Sequence, residues 1–183
     1  MKRLMITFSI IFLSAFIFFT VMYCFDPFGI YLSLSITFGT FSYHLIMRLV
    51  VGLIFNIKMH NNADYHKRMY RLKPFEIKLY KLLMVKKWKD HMPTFDVDVF
   101  DPALKSWEEI AQAMCQSELV HRVIIALSFL PIILAIWFGD FPVFLITSVL
   151  AAGIDLMYVM MQRYNRERIL VFIIIMLKKP SQT

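Results

Sequence analysis

Glu118 and His121 stand three residues apart, so one face of a helix presents both. A carboxylate that orients an imidazole makes a general base, able to take the proton of a hydroxyl. The same Glu-x-x-His spacing holds metal in helical carboxylate proteins, but those use two such motifs and this chain has one. His44 and Arg48, four apart, share a face in the same way. Asp155, Gln162 and Arg166 are spaced by seven and four and fall on one stripe. Around the last two runs Gln162-Arg163-Tyr164-Asn165-Arg166-Glu167-Arg168, with three arginines and two amides in seven residues. Guanidinium and amide N–H groups can hold an oxyanion or a phosphate.

These groups sit in a chain that is otherwise built for lipid. Its 183 residues are 59% hydrophobic, with a mean hydropathy of +0.62, a balance that excludes a soluble domain. Glycine and proline are sparse, and the apolar runs are continuous rather than alternating, which favours helices over a barrel. Four segments reach or approach the length of about 20 residues that a span needs: Leu4–Phe25, Phe28–Ile57, Val123–Phe138 and Phe141–Met161. The links Asp26-Pro27 and Gly139-Asp140 are too short for anything but helical hairpins.

The expectation is an all-α integral membrane protein, a four-transmembrane-helix bundle with an amphipathic cytoplasmic segment and a short C-terminal interfacial helix. Residues 1–57 form an N-terminal hairpin of helices 4–25 and 28–57. Residues 58–106 are a basic segment whose stretch 75–92, rich in lysine and large apolar residues, predicts an interface-lying helix. Residues 107–168 form the second hairpin; Ser106 and Glu109 make a capping box that starts its first helix near Trp107. Residues 169–183 are an interfacial tail, because the apolar run Ile169–Leu177 has nine residues and cannot span.

Lysine and arginine placement sets the orientation. Both hairpin tips carry an aspartate and no Lys or Arg, while the N-terminus, the central segment, the stretch after Gln162 and the pair Lys178-Lys179 hold the basic residues, apart from Arg48. Both termini are therefore expected in the cytoplasm of a multi-pass cell-membrane protein. The net charge of +7 is mostly this topology signal, and it also suits anionic lipid; no nucleic-acid partner is expected. Met1-Lys2-Arg3 resembles the start of a secretory signal, but the apolar run reaches Phe25 and no small-residue cleavage site follows, so it reads as a retained signal-anchor. Cys24 and Cys115 are assigned to opposite sides and do not pair. Asp96, Asp98 and Asp101 lack the glycine and terminal glutamate of a calcium loop. No bound metal or cofactor is expected.

An ionisable side chain at mid-bilayer costs about 2.5–3.5 kcal/mol on insertion scales, so it normally faces a partner or a cavity. His44, Arg48, Glu118, His121, Asp155 and Gln162 all count to the cytoplasmic part of their helices. Independent decoration would scatter them over both leaflets. The expectation is one polar pocket open to the cytoplasm, suited to a substrate with an apolar tail and a polar head.

At these same residues the chain resembles a known family. Lys87-Trp88-Lys89 with Pro93, then Ser117-Glu118-Leu119-Val120-His121, Pro131 and Gln162–Arg168, in this order and spacing, are similar to the glycosyl-4,4'-diaponeurosporenoate acyltransferases. These are small membrane enzymes of staphyloxanthin-type carotenoid synthesis, and the likeness covers roughly Phe75 to Ile169. It implies transfer of a fatty acyl group from a cytosolic thioester, acyl-CoA or another, to a hydroxyl of a glycosylated lipid or carotenoid. For that chemistry His121, oriented by Glu118, can serve as the base, and Asp155 and His44, at matching depth in the expected pocket, are the further catalytic candidates. Gln162, Asn165 and Arg163 would serve the oxyanion, and Arg48, Arg166, Arg168 and the central lysines the substrates. The chain has no G-x-S-x-G string, so direct transfer without an acyl-enzyme is the simpler scheme. Two alternatives stay open. One is a metal-dependent lipid-modifying enzyme with His44, Glu118, His121 and Asp155 as ligands. The other is a non-enzymatic lipid-binding or assembly subunit whose polar cluster locks helices together.

Overall fold

A computed structural model describes residues 2–178. The described residues are helical throughout their regular structure, with no strand. In order they form α1 (Lys2–Phe25), α2 (Gly29–Met59), α3 (Pro74–Leu82), α4 (Val85–Trp88), α5 (Trp107–Leu127), α6 (Ala135–Phe138) and α7 (Phe141–Lys178). Short 3-10 turns lie at Arg68–Tyr70, Lys89–His91, Asp98–Phe100 and Leu130–Leu134. Among the described residues four helical stretches are long and apolar enough to cross a membrane: Lys2–Phe25, Gly29–Met59, Trp107–Phe138 and Phe141–Met176. Met1 of the expected anchor and Lys179 of the expected basic tail lie outside the described residues.

The chain divides into two compact units, and the division falls within α2, α5 and α7 rather than at loops. One takes in Met1–Ile54 and Val123–Asp155, the other Phe55–Arg122 and Leu156–Thr183.

In the first unit α1 buries only Ser9 and turns Leu4, Ile10 and Phe18 outward, as a lipid-facing helix does. Where lipid is as apolar as leucine, helices associate through close packing and polar contacts rather than through exclusion of water. Here the ring of Phe16 lies against Gly39, where an added Cβ would come within 2.9 Å of the ring. Phe19 stacks on Phe38 at 5.5 Å, and the Thr20 and Ser35 hydroxyls share a hydrogen bond of 2.7 Å. The second tip turns on two left-handed residues, Gly139 (φ 71°) and Asp140 (φ 47°), and the Asp140 carboxylate accepts a bond from the Ser33 hydroxyl at 3.2 Å.

Pro131 has no N–H, so it leaves the Leu127 carbonyl without its helical donor and ends α5 there. The Tyr43 hydroxyl takes that vacancy, donating to Leu127 O at 2.9 Å. The span continues as a 3-10 turn and the short α6.

The second unit departs from expectation in two places. The helix expected over 75–92 is broken: α3 stops at Leu82, Met84 takes a left-handed conformation (φ 51°), and α4 with a 3-10 turn follows. Tyr80 and Val85 are both buried, and five residues apart they would point to different sides of a straight helix. The break lets both be buried, and the Trp88 indole N–H closes it on Leu83 O at 3.0 Å. Second, the expected separate tail helix is continuous with α7, which runs for 38 residues, roughly 57 Å at about 1.5 Å per residue. No glycine or proline lies between Gln162 and Leu177 to stop it. Its far end packs against the start of α5, with Phe172 and Trp107 ring centroids 5.0 Å apart. The start of α5 is as expected: the Glu109 amide bonds the Ser106 hydroxyl at 3.2 Å and the Ser106 amide bonds the Glu109 carboxylate at 2.9 Å.

Tyr43→Phe leaves the Leu127 carbonyl without its donor and is expected to lower stability by about 1 kcal/mol. Unfolding in detergent micelles measures this; an unchanged midpoint would show that the carbonyl finds another partner.

Candidate functional site

Glu118, on α5, is fully buried, and two α7 arginines beside it are almost as deep: Arg166 is 1% and Arg163 2% exposed. A buried charge persists only when it is paired and its hydrogen-bonding groups are occupied. Arg163 Nη1 donates to Glu118 Oε1 at 2.6 Å, and Arg166 Nη1 sits 2.6 Å from Glu118 Oε2. Arg122, one turn along α5, adds a third cation on Oε1. The arginines then reach the segment before α3. Arg163 Nη2 donates to the Arg71 carbonyl and to Glu76 Oε2, both at 2.8 Å, and Nη1 also reaches Met69 O at 3.2 Å. Arg166 Nη2 donates to Tyr70 O, and its guanidinium lies 5.1 Å from the centre of the Tyr70 ring. Two arginines of the seven-residue run thus clamp residues 69–71 and the start of α3 onto α5 and α7.

Burial pushes the Glu76 carboxyl upward, but the Lys73 amide and the Arg163 guanidinium outweigh it and hold it below its ordinary value. Burial, with the neighbouring Cys115 and Glu118, pushes the Tyr70 phenol up to about 12, so its ring stays neutral under Arg166. Cys115 packs with Tyr70 and Ala63 in a small core, and the Asn61 amide beside it bonds Gln116 Oε1 at 2.8 Å.

His121 lies one turn along α5 from Glu118. Its ring stacks on Tyr158 of α7, centroids 4.6 Å apart and planes within 4°, and Tyr158 donates to the Pro93 carbonyl at 3.0 Å. Helical register leads from this stack to a cavity of about 240 Å³ lined by Met114, Met161, Gln162, Asn165, Met92 and Lys89 among others. Met114 is seven residues before His121 on α5, and Gln162 is one turn after Tyr158 on α7. The cavity therefore continues the faces that carry His121 and Tyr158, and Gln162 and Asn165 bring amide N–H donors to its wall.

A larger groove of about 540 Å³ lies between α3, α4 and a third face of α7. Leu72, Ile77, Tyr80, Met84 and Tyr164 give it apolar and aromatic walls. Lys81, Lys86, Lys87 and Arg168 rim it, and Glu167 is its acid. Its volume is in the range of about 300–1,000 Å³ usual for small-molecule sites.

The structure thus brings Glu118, His121, Gln162, Arg163, Asn165, Arg166 and Arg168 together in the second unit. Arg163 and Arg166, expected at the substrate, turn most of their guanidinium donors to Glu118, Glu76 and backbone carbonyls instead, while Arg163 Nε is buried without a hydrogen-bond partner among the described residues. In the first unit Arg48 Nε donates to Asp155 at 3.0 Å and its Nη2 to Ala151 O at 3.1 Å, so these two join α2 to α7 as an ion pair. His44 is buried one turn before Arg48. Among the described residues no three His, Cys, Asp or Glu side chains gather as a metal set, so the four ligands of the metal-dependent alternative are not assembled. Sequence reasoning missed Glu76, Tyr70 and Tyr158. Only Tyr158 had a signal, its place four residues before Gln162 on one stripe.

Fold and site define an all-helical protein with four helices able to cross a membrane and a basic, apolar-walled groove beside a buried arginine–carboxylate lattice. The sequence model described as glycosyl-4,4'-diaponeurosporenoate acyltransferase matches residues 65–174, more than half of the chain, and the chain belongs to that family. The match takes in Glu118, His121 and the whole run from Gln162 to Arg168. No curated protein and no solved structure matches the chain.

Glu118→Ala leaves Arg163 and Arg166 buried without their shared counter-charge and is expected to cost about 3–5 kcal/mol. Limited proteolysis should then cut first between residues 64 and 76; resistance equal to the parent protein would refute the clamp. Glu76 has a lowered carboxyl value, so its contribution is present above the ordinary carboxylate range and lost as pH falls through the folded value. Glu76→Gln should remove that part of the acid sensitivity, read from stability against pH between about 3 and 6. An identical profile in the variant would show that Glu76 contributes none of it.

Proposed function

We propose that this protein is a cell-membrane acyltransferase, both termini cytoplasmic, that moves a fatty acyl group from a cytosolic thioester to a hydroxyl of a glycosylated lipid or carotenoid. The observation that carries the reading is the family match over residues 65–174, whose span includes both cavities and the residues that build them. His121 takes the proton of the acceptor hydroxyl as its oxygen attacks the thioester carbonyl. The C–O bond forms, the C–S bond breaks, and the imidazolium returns the proton to the departing thiolate. Gln162 and Asn165 supply the amide N–H groups for the oxyanion. The Tyr158 ring holds the imidazole plane by stacking. Glu118 acts through the arginines it orders, and Arg163 and Arg166 hold the frame rather than the substrate. Arg48 and Asp155 join α2 to α7 in this reading, and no step is assigned to His44. The acceptor's apolar part stays in lipid, so only the glycosyl head enters the protein.

A lipid-binding subunit is the second reading, favoured by the ion pairs that tie Glu118 to three arginines and hold α5 to α7. It needs the groove but gives His121 no task.

In nanodiscs with a labelled acyl thioester and a glycolipid acceptor, His121→Ala is expected to slow transfer about 100-fold or more while leaving unfolding unchanged. Transfer at the parental rate in this variant would remove His121 from the mechanism. No transfer by the parent protein from any thioester would favour the subunit.

A further inference from the structure

We propose that the groove between α3, α4 and α7 binds the phosphate-bearing nucleotide end of the acyl donor, making that donor a nucleotide-linked thioester. The proposal rests on the acyl-transfer reading for the word donor, but on the groove alone for the ligand. Lys81, Lys86, Lys87 and Arg168 set four cations on its rim against the single acid Glu167. Such a rim attracts a multiply charged anion, and exposed lysines with one arginine suit phosphate oxygens as point-charge and bidentate partners.

Cations alone would serve any anionic headgroup, and the walls decide between them. Tyr80 and Tyr164 line the groove on facing elements, α3 and α7. Aromatic side chains stack on nucleobases whatever their sequence. Glu167 gives a carboxylate acceptor, suited to the amino group of a base or to amide N–H groups of a pantetheine arm. A phospholipid head has no aromatic ring to stack on the tyrosines; an ethanolamine or serine ammonium could use the carboxylate but leaves the aromatic walls without a partner. A nucleotide-linked thioester has the phosphates, the base and the amides together.

The groove and the smaller cavity occupy neighbouring faces of one helix. Tyr164, Glu167 and Arg168 face the first, while Met161, Gln162 and Asn165 face the second. Arg168 and Met161 are seven apart and so meet along the shared edge. A donor anchored by its nucleotide end in the groove can pass its arm across that edge toward the amides of Gln162 and Asn165.

The test measures equilibrium binding of coenzyme A and of 3',5'-ADP to the full chain in phosphatidylcholine nanodiscs. The parent protein and the His121→Ala variant should bind both, and the combined K86Q/K87Q/R168Q variant at least tenfold more weakly. Lys78→Gln removes a charge from α3 outside the groove and should bind as the parent does. Equal binding by the combined variant, or equal weakening by Lys78→Gln, overturns the proposal. Displacement of coenzyme A by phosphatidylglycerol at bilayer concentrations would identify a headgroup site instead and also overturn it. Binding of the phosphopantetheine arm of an acyl carrier protein, with free coenzyme A and 3',5'-ADP inert, would overturn the nucleotide assignment. The two readings fail separately. Acyl transfer from coenzyme A with an unchanged KM in the combined variant sinks the groove and keeps the enzyme. Groove-dependent binding with no transfer from any donor does the reverse.

Discussion

One buried carboxylate organises the second unit. Glu118 has no exposure, and the guanidinium groups that neutralise it come from its own helix and from α7. Arg163 and Arg166 have more donors than one carboxylate can accept, and several of them meet the carbonyls of residues 69–71 and Glu76. The cost of burying the charges is thus offset only if the segment before α3 is present and in place. Chain order in that segment and charge balance within the helices are one condition, not two.

The groove follows from that condition. With residues 69–71 and Glu76 fastened, α3 begins at a fixed place beside α7, and the break at Met84 turns α4 so that Val85 is buried and the lysines after it stay exposed. The run from Gln162 to Arg168 then divides its work around one helix. Arg163 and Arg166 face inward to Glu118, Gln162 and Asn165 line the smaller cavity, and Tyr164, Glu167 and Arg168 line the groove. The motif's density reflects three adjoining surfaces more than one crowded site.

Much of this was legible in the residues. The four membrane-length spans follow from apolar run length, because lipid demands it; the capping box at Ser106 and the tight tip at Gly139-Asp140 are local and need no tertiary context. The pairing of Arg48 with Asp155 was open to a charge-matching argument between helices. The break at Leu83–Met84 was not legible, since no glycine or proline marks it and the burial of both Tyr80 and Val85 is a tertiary demand. The role of Arg163 and Arg166 was hidden for a related reason. A basic run at a helix end looks the same whether its donors meet substrate phosphates or backbone carbonyls, and the carbonyls of Met69, Tyr70 and Arg71 carry no sequence signal at all. His121 was found by spacing, but its stacking on Tyr158 is a product of packing that the stripe position of Tyr158 alone does not give.

In the proposed function, a clamp, a base and a donor groove make one acyl-transfer site on the part of the chain that the family match covers. Its central claim is chemical: an ester is made on a glycosylated lipid. The most direct measurement is mass spectrometry of the total lipids of cells with and without the protein. The account predicts that a glycolipid bearing an ester-linked fatty acyl group disappears and that its unacylated form accumulates. Identical lipid profiles in the two strains would contradict it.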